Sequence, residues 1–114
     1  MLKDPILFDD WLKADLRIGR VTAAEKPEWS EKLLELTVDF GEELGTKTIF
    51  TGMSKWFSPE IFVGKQSIFL LNLPPRKMGP GESQGMLLAG ESDSEGKPAL
   101  MLFDDLAPNG TPLA

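Results

Sequence analysis

The stretch "LLELTVDFG" limits the fold most. Leu34, Leu36, Val38 and Phe40 occupy every second position, with Glu35, Thr37 and Asp39 between them. A period of two belongs to a β-strand with one face in an apolar core and the other in water. Just upstream, "DLRIGRVTAAE" keeps that period through Leu16 and Ile18 and then loses it, because the next apolar residue is Val21. The slip falls at Gly19. Glycine inside a strand marks a bulge or a close backbone approach, so a sharply bent first strand with a bulge at Gly19 is expected.

The rest of the chain continues in short strands. "TKTIFTGM" follows a turn at Glu42–Gly45 and makes a hairpin with the strand before it. Ser58-Pro59-Glu60 reads as a helix start, with Ser58 as N-cap and Pro59 at the first helical position, and Gly64 ends that helix. "KQSIFLLNL" is apolar on both faces in its middle, as a central strand is. "GMLLAGES" supplies a fifth strand and "PALMLF" a sixth, while "LAPNGTPLA" reads as an irregular tail. At the start, Ile6, Leu7, Trp11 and Leu12 fall on one stripe of a short helix, with Asp9 and Asp10 in its first turn. Five strands with a helix between the third and fourth is the order of the OB-fold. The expectation is an all-β, five-stranded Greek-key barrel with a short N-terminal helix and a C-terminal extension, in which residues 1–114 form one domain.

Composition removes several kinds of chemistry. There is no cysteine and no histidine, hence no disulfide framework, thiolate metal site, cysteine nucleophile or Ser-His-Asp triad. Nothing in the spacing of the carboxylates points to acid–base catalysis, and no cofactor or metal is expected. No apolar run approaches the length of a membrane span and the first residues lack a secretory signal's apolar region, so a cytoplasmic protein is expected. The net charge of -6 is unevenly spread: residues 1–77 carry 11 basic and 12 acidic side chains, whereas residues 78–114 carry one and six. An anionic partner is therefore excluded only from the C-terminal third.

Between two apolar runs lies "NLPPRKMGPGESQGM". It lacks the Lys-Ser/Thr of a nucleotide-binding Walker loop. Arg76 and Lys77 offer adjacent cations, and Asn72, Ser83 and Gln84 offer neutral hydrogen-bonding groups. Gly79, Gly81 and Gly85 allow close backbone approach, and Pro74, Pro75 and Pro80 restrict the loop. Such groups contact phosphates and sugars. Arg17 and Arg20 lie on opposite parity across the bulge, which would turn one of them, Arg17 among the candidates, toward a binding groove. Trp29 and Trp56 are both candidates for stacking on a base; Trp29 lies in a polar connection, partly exposed, and Trp56 is expected instead to pack the short helix.

"DLRIGRVTAAEKP", "KLLELTVDFG", "TGM", "PEIFVGK" and "NLPPRKMGPGESQGMLLAGES", in this order and spacing, resemble the tRNA-binding OB-fold domain family. That family includes the C-terminal or β-subunit module of methionyl-tRNA synthetases, free-standing tRNA-binding proteins and the CsaA-type export chaperones. The resemblance runs from about Asp15 onward. It implies that Asn72, Lys77, Ser83 and Met86 face an RNA-binding surface that Lys32 and Lys47 extend. "TGM" and "ESQGM" are similar to the synthetase and tRNA-binding branch, whereas "GEELGTK", "NLPPR" and "PNGT" are similar to the CsaA branch.

The leading expectation is a non-catalytic homodimer that binds folded tRNA by its backbone and shape. The alternatives are a chaperone holding unfolded presecretory polypeptide and an appendage that dimerises and binds tRNA for an aminoacyl-tRNA synthetase. The apolar run Leu100, Met101, Leu102, Phe103 and Leu106 either closes the barrel end or meets a second copy, and the resemblance favours the second.

Overall fold

The computed structural model describes residues 1–91 and 93–114. Four longer strands, β1 (Leu16–Glu25), β2 (Leu34–Asp39), β3 (Thr46–Thr51) and β4 (Gln66–Leu70), and the short β7 (Met86–Leu87) form one antiparallel sheet in the order β3-β2-β1-β4-β7. A separate hairpin of β5 (Arg76–Met78) and β6 (Gly81–Ser83) stands against it. The sheet curls into a nearly closed five-stranded barrel. Its core is what the period-two pattern requires: Leu34, Leu36, Val38 and Phe40 are fully buried together with Val21, Ile49, Phe62 and Phe69. Each such side chain stabilises the fold by roughly 1.5–3 kcal/mol relative to its exposed state.

Strand β1 is shared between two partners. Leu16–Arg20 pair with β4, and Arg20–Glu25 pair with β2. The expected bulge is present but lies elsewhere: the register with β2 shifts between Val21 and Ala23, leaving Thr22 as the extra residue, while the ladder with β4 runs regularly through Gly19. Gly19 serves the bend differently. A Cβ there would stand 2.5 Å from Cε1 of Phe40 and 2.6 Å from Cγ1 of Val38. The missing side chain makes room for the Phe40 ring, which packs edge-on against Phe69 at 5.3 Å.

The helical elements are single turns. The apolar stripe expected to make an N-terminal helix yields only α1 (Phe8–Trp11), and that stripe is not buried, with Ile6 69% and Leu7 72% exposed. A second turn, α2 (Gly41–Leu44), replaces the simple loop expected between β2 and β3. The helix before β4 is a 3-10 turn, Pro59–Phe62, in which Pro59 holds the first position and Phe62 is fully buried. The Ser58 side chain makes no capping bond, so burial of Phe62 and the fixed φ of Pro59 hold this turn.

The C-terminal third also departs from expectation. The fifth strand contracts to β7, and the sixth is reduced to bridges, Gly90 with Ala99 and Gln66 with Phe103. Pro98 has no N–H to give a ladder. The buried Gln66 side chain instead draws the chain across, accepting from Leu106 N–H at 2.6 Å and donating to Ala107 O at 2.7 Å. Leu100 and Leu102 are partly buried against the core and Met101 and Phe103 are half-buried; of these five apolar residues Leu106 alone is exposed. The tail has a defined course. Ile18 N–H donates to Thr111 O, Gly110 N–H to Ile18 O and Leu113 N–H to Leu16 O, so it covers the edge of β1 that β2 leaves free.

Two outcomes follow for stability. Gly19→Ala forces Phe40 and Val38 to move, and overpacking of this kind costs about 1–3 kcal/mol, readable as a lower urea midpoint. Glu35 lies opposite Glu25 in the β1–β2 ladder, and partial burial together with the charge of Glu25 raises its carboxyl above the ordinary range. A raised folded-state pKa makes the Glu35 contribution most favourable below the unfolded carboxylate range, and that contribution is lost as pH rises through the raised value. Glu35→Gln should therefore raise the Tm at pH 7, with the gain disappearing below the ordinary glutamate pKa of about 4.3.

Candidate nucleic-acid interface

The loop rich in proline and glycine folds into the β5–β6 hairpin. Arg76 pairs with Ser83, Lys77 with Glu82 and Met78 with Gly81. Gly79 has φ +55 and no other residue type in the described chain has positive φ, so Gly79-Pro80 has the sign pattern of a type II′ turn. Pro80 fits because its position in that turn needs negative φ. The hairpin rests on an aromatic floor: a Cβ on Gly79 would lie 2.6 Å from the Trp29 ring and one on Gly81 2.8 Å from the Phe50 ring, and those rings are 5.6 Å apart. The two glycines permit close contact, and Trp29 positions the hairpin.

The neutral residues of the loop mostly bond within the protein. Ser83 is 4% exposed; its Oγ accepts from Phe50 N–H at 3.0 Å and donates to Gly85 O at 3.0 Å. Gln84 Oε1 accepts from Thr48 N–H at 2.8 Å, and Gln84 N–H donates to Thr48 O at 2.8 Å. These bonds join β3 to β6 and close the barrel seam. Asn72 Oδ1 accepts from Asp15 N–H at 2.8 Å and its Nδ2 donates to Lys13 O, tying the end of β4 to the segment entering β1. Seam and tie both shape the face on which the hairpin stands.

The cations divide into two groups. Arg17 donates from Nε to Asp15 at 2.6 Å and from Nη1 to Gly110 O at 3.1 Å; the bond to Asp15 raises its pKa further. Arg20 bonds Gly64 O, Asp104 O and, at 2.6 Å, the Asp105 carboxylate, and Lys65 pairs with Asp104. The Lys65 ammonium holds the Asp104 carboxyl below its usual range. These cations fasten the C-terminal segments. Among the described residues, Lys3, Lys26, Lys32, Lys47, Lys55, Arg76, Lys77 and Lys97 have no carboxylate within ion-pair distance.

Four of that second group line two adjoining clefts. One, of about 420 Å³, is lined by Phe50, Leu73, Arg76 and Met86, with Met86 47% exposed at its edge. The other, of about 650 Å³, is lined by Lys26, Lys32, Lys55 and Trp56, and the two share Leu33 and Gly52. Lys77 stands exposed on the hairpin beside them, and Lys47 is half-buried on β3. Lys26 and Lys55 were not singled out for this face from sequence, although the adjacent cation and indole of "SKWF" were a usable signal. Trp56, expected to pack the short helix, is half-buried and borders the larger cleft. The described residues contain no group of acidic side chains that could hold a metal ion and no helix long and apolar enough to cross a membrane.

Comparison with known proteins agrees with this arrangement. Residues 16–112 match the family described as "Putative tRNA binding domain". The methionine–tRNA ligase of Burkholderia ambifaria (strain MC40-6) is 44% identical over 101 residues, which cover 88% of this chain and 14% of that enzyme. The chain thus spans about one seventh of the length of such relatives. A MetRS-related protein from Pyrococcus horikoshii superposes with a TM-score of 0.89 at 36% identity, covering 98% of this chain and 100% of its own. The chaperone CsaA of Bacillus anthracis str. Ames superposes with a TM-score of 0.84 at 33% identity, covering 97% and 100%. The β-barrel, the hairpin beside its two clefts and the match over residues 16–112 place the chain in the tRNA-binding domain family.

Proposed function

We propose that the chain binds folded tRNA as a homodimer and does no chemistry of its own. The observation that carries the reading is the clustering of unpaired cations: on a chain of net charge -6, Lys26, Lys32, Lys55 and Arg76, none with a carboxylate partner, line two adjoining clefts, while Arg17, Arg20 and Lys65 are bonded to acids. Phosphate neutralisation by Lys and Arg supplies most of the affinity for nucleic acid, and only cations free of internal partners can provide it cheaply. Arg76, Lys77 and Lys32 meet phosphates, and Met86 offers an apolar contact to a sugar or base. Asn72, Ser83 and Gln84 act by holding this surface in place, and Arg17 by fastening the tail.

The dimer contact belongs to the N-terminal segment. Leu2, Ile6, Leu7, Phe8 and Leu12 are all exposed, a concentration of apolar surface that monomers rarely leave open. A two-fold pairing of such segments would set two hairpins on one assembly and let both engage one RNA. One observation favours a second reading: the cleft beside Arg76 is bordered by Phe50, Leu73 and Met86, which suits an apolar polypeptide segment as well as a nucleotide, and CsaA is structurally similar. A synthetase encoded separately is a further partner that the methionine–tRNA ligase relatives bring into range.

Filter binding of total tRNA at two salt concentrations tests the leading reading. Arg76→Ala with Lys77→Ala should weaken binding and reduce the salt slope by about 1.4–1.8, the value for two lost phosphate contacts, at unchanged Tm. Absence of wild-type affinity at low salt would sink it, and displacement of tRNA by unfolded presecretory protein would favour the chaperone reading. In light scattering after size exclusion, the wild type should elute as a dimer and Leu7→Asp with Phe8→Asp as a folded monomer with weaker tRNA binding.

A further inference from the structure

The larger cleft has a chemistry of its own. Trp56 borders it, half-buried, with the Lys55 ammonium 5.4 Å from the ring centroid, and Lys26 and Lys32 add two further exposed cations. Glu31 supplies one carboxylate, and Ser54 is fixed there by donating its Oγ–H to Glu31 O at 2.6 Å. A simple anion has no use for an indole, and a basic polypeptide would be repelled by three lysines. A nucleotide uses every part: an aromatic base for the indole, phosphates for the lysines, and sugar hydroxyls or an exocyclic amine that donate to Glu31. The volume of about 650 Å³ is ample for such a group.

We infer that this cleft takes one unstacked nucleotide of the bound RNA, its base lying on Trp56 and its flanking phosphates held by Lys26, Lys32 and Lys55. The inference rests on the RNA-binding reading and adds to it a single-stranded subsite next to the hairpin surface. Lys55 is exposed and flexible enough to leave the ring for a phosphate when a base covers the indole. Partners for this subsite are RNAs that present an unpaired end or loop nucleotide at the distance of the hairpin.

Titration of the full chain with a single-stranded tetraadenylate, followed by tryptophan fluorescence, should show quenching that Trp56→Leu removes while Trp11 and Trp29 remain. In tRNA filter binding, Trp56→Leu should lose about ten- to a hundredfold in affinity, and Trp56→Phe, which keeps an aromatic face, should stay within about threefold of wild type. Lys26→Ala with Lys55→Ala leaves the ring in place and should weaken both ligands; it decides the matter if Trp56→Leu fails to fold. Wild-type affinity for tRNA in folded Trp56→Leu, alongside loss in the Arg76→Ala, Lys77→Ala variant, would overturn the subsite and leave the RNA-binding reading standing. No binding of either RNA by the wild type would overturn both. Inorganic phosphate displacing tetraadenylate as well as adenosine monophosphate does would reduce the cleft to an anion site and overturn the inference.

Discussion

The contact between Gly19 and the Phe40 ring is the constraint on which the barrel depends. Strand β1 has to serve β4 with its first half and β2 with its second, which requires it to turn across the core rather than run flat. At the turning point Ile18, Gly19 and Val21 are all buried, and only a residue without a side chain leaves space for Phe40 beneath them. Phe40 in turn meets Phe69 on β4, so the end of β2 and the middle of β4 are joined through the ring. The extra residue at Thr22 then lets β1 continue along β2 in a new register. With the first three strands curled this way, β3 comes round to the residues that follow the hairpin and the seam can form.

That seam connects fold to function. It is made from Ser83 and Gln84 side chains as well as backbone, so the barrel is closed by part of the segment that presents Arg76 and Lys77. The hairpin is anchored at its base by the seam and at its tip by Trp29, leaving the two cations on a rigid support. A binding surface preorganised in this way loses less entropy when a partner docks. Electrostatics follow the same division: Arg17, Arg20 and Lys65 hold the acidic C-terminal segments against the barrel, and Lys26, Lys32 and Lys55 stay available around the larger cleft.

Much of the fold could be read from the chain because period-two alternation is a local property. Leu34 to Phe40 announced a half-buried strand, and the slip near Gly19 announced a bend. What escaped depends on distant residues. The bulge sits at Thr22 because the register is set by pairing with β2, and "PALMLF" fails to form a strand because Gln66, over thirty residues away, draws the chain across. The same holds for the site. Arg76 and Lys77 are exposed cations as their loop suggested, whereas the polar groups of Ser83 and Asn72 are satisfied by Phe50 and Asp15, partners that no local pattern names. Trp29 and Trp56 illustrate the limit: both lie in short polar surroundings, and only the fold decides that one supports a hairpin and the other borders a cleft.

The tail that lies along β1 has a consequence for how the protein survives in a crowded solution. A strand whose N–H and C=O groups face outward is a template onto which another chain can add, and repeated addition leads to aggregates. By bonding Thr111 and Gly110 to Ile18 and Leu113 to Leu16, the tail occupies that template with the protein's own backbone. Pro108 and Pro112, which cannot donate to a ladder, then make the tail itself a poor surface for further growth. A segment that looked like a loose end in the sequence is thus a guard that keeps the first strand from recruiting its neighbours.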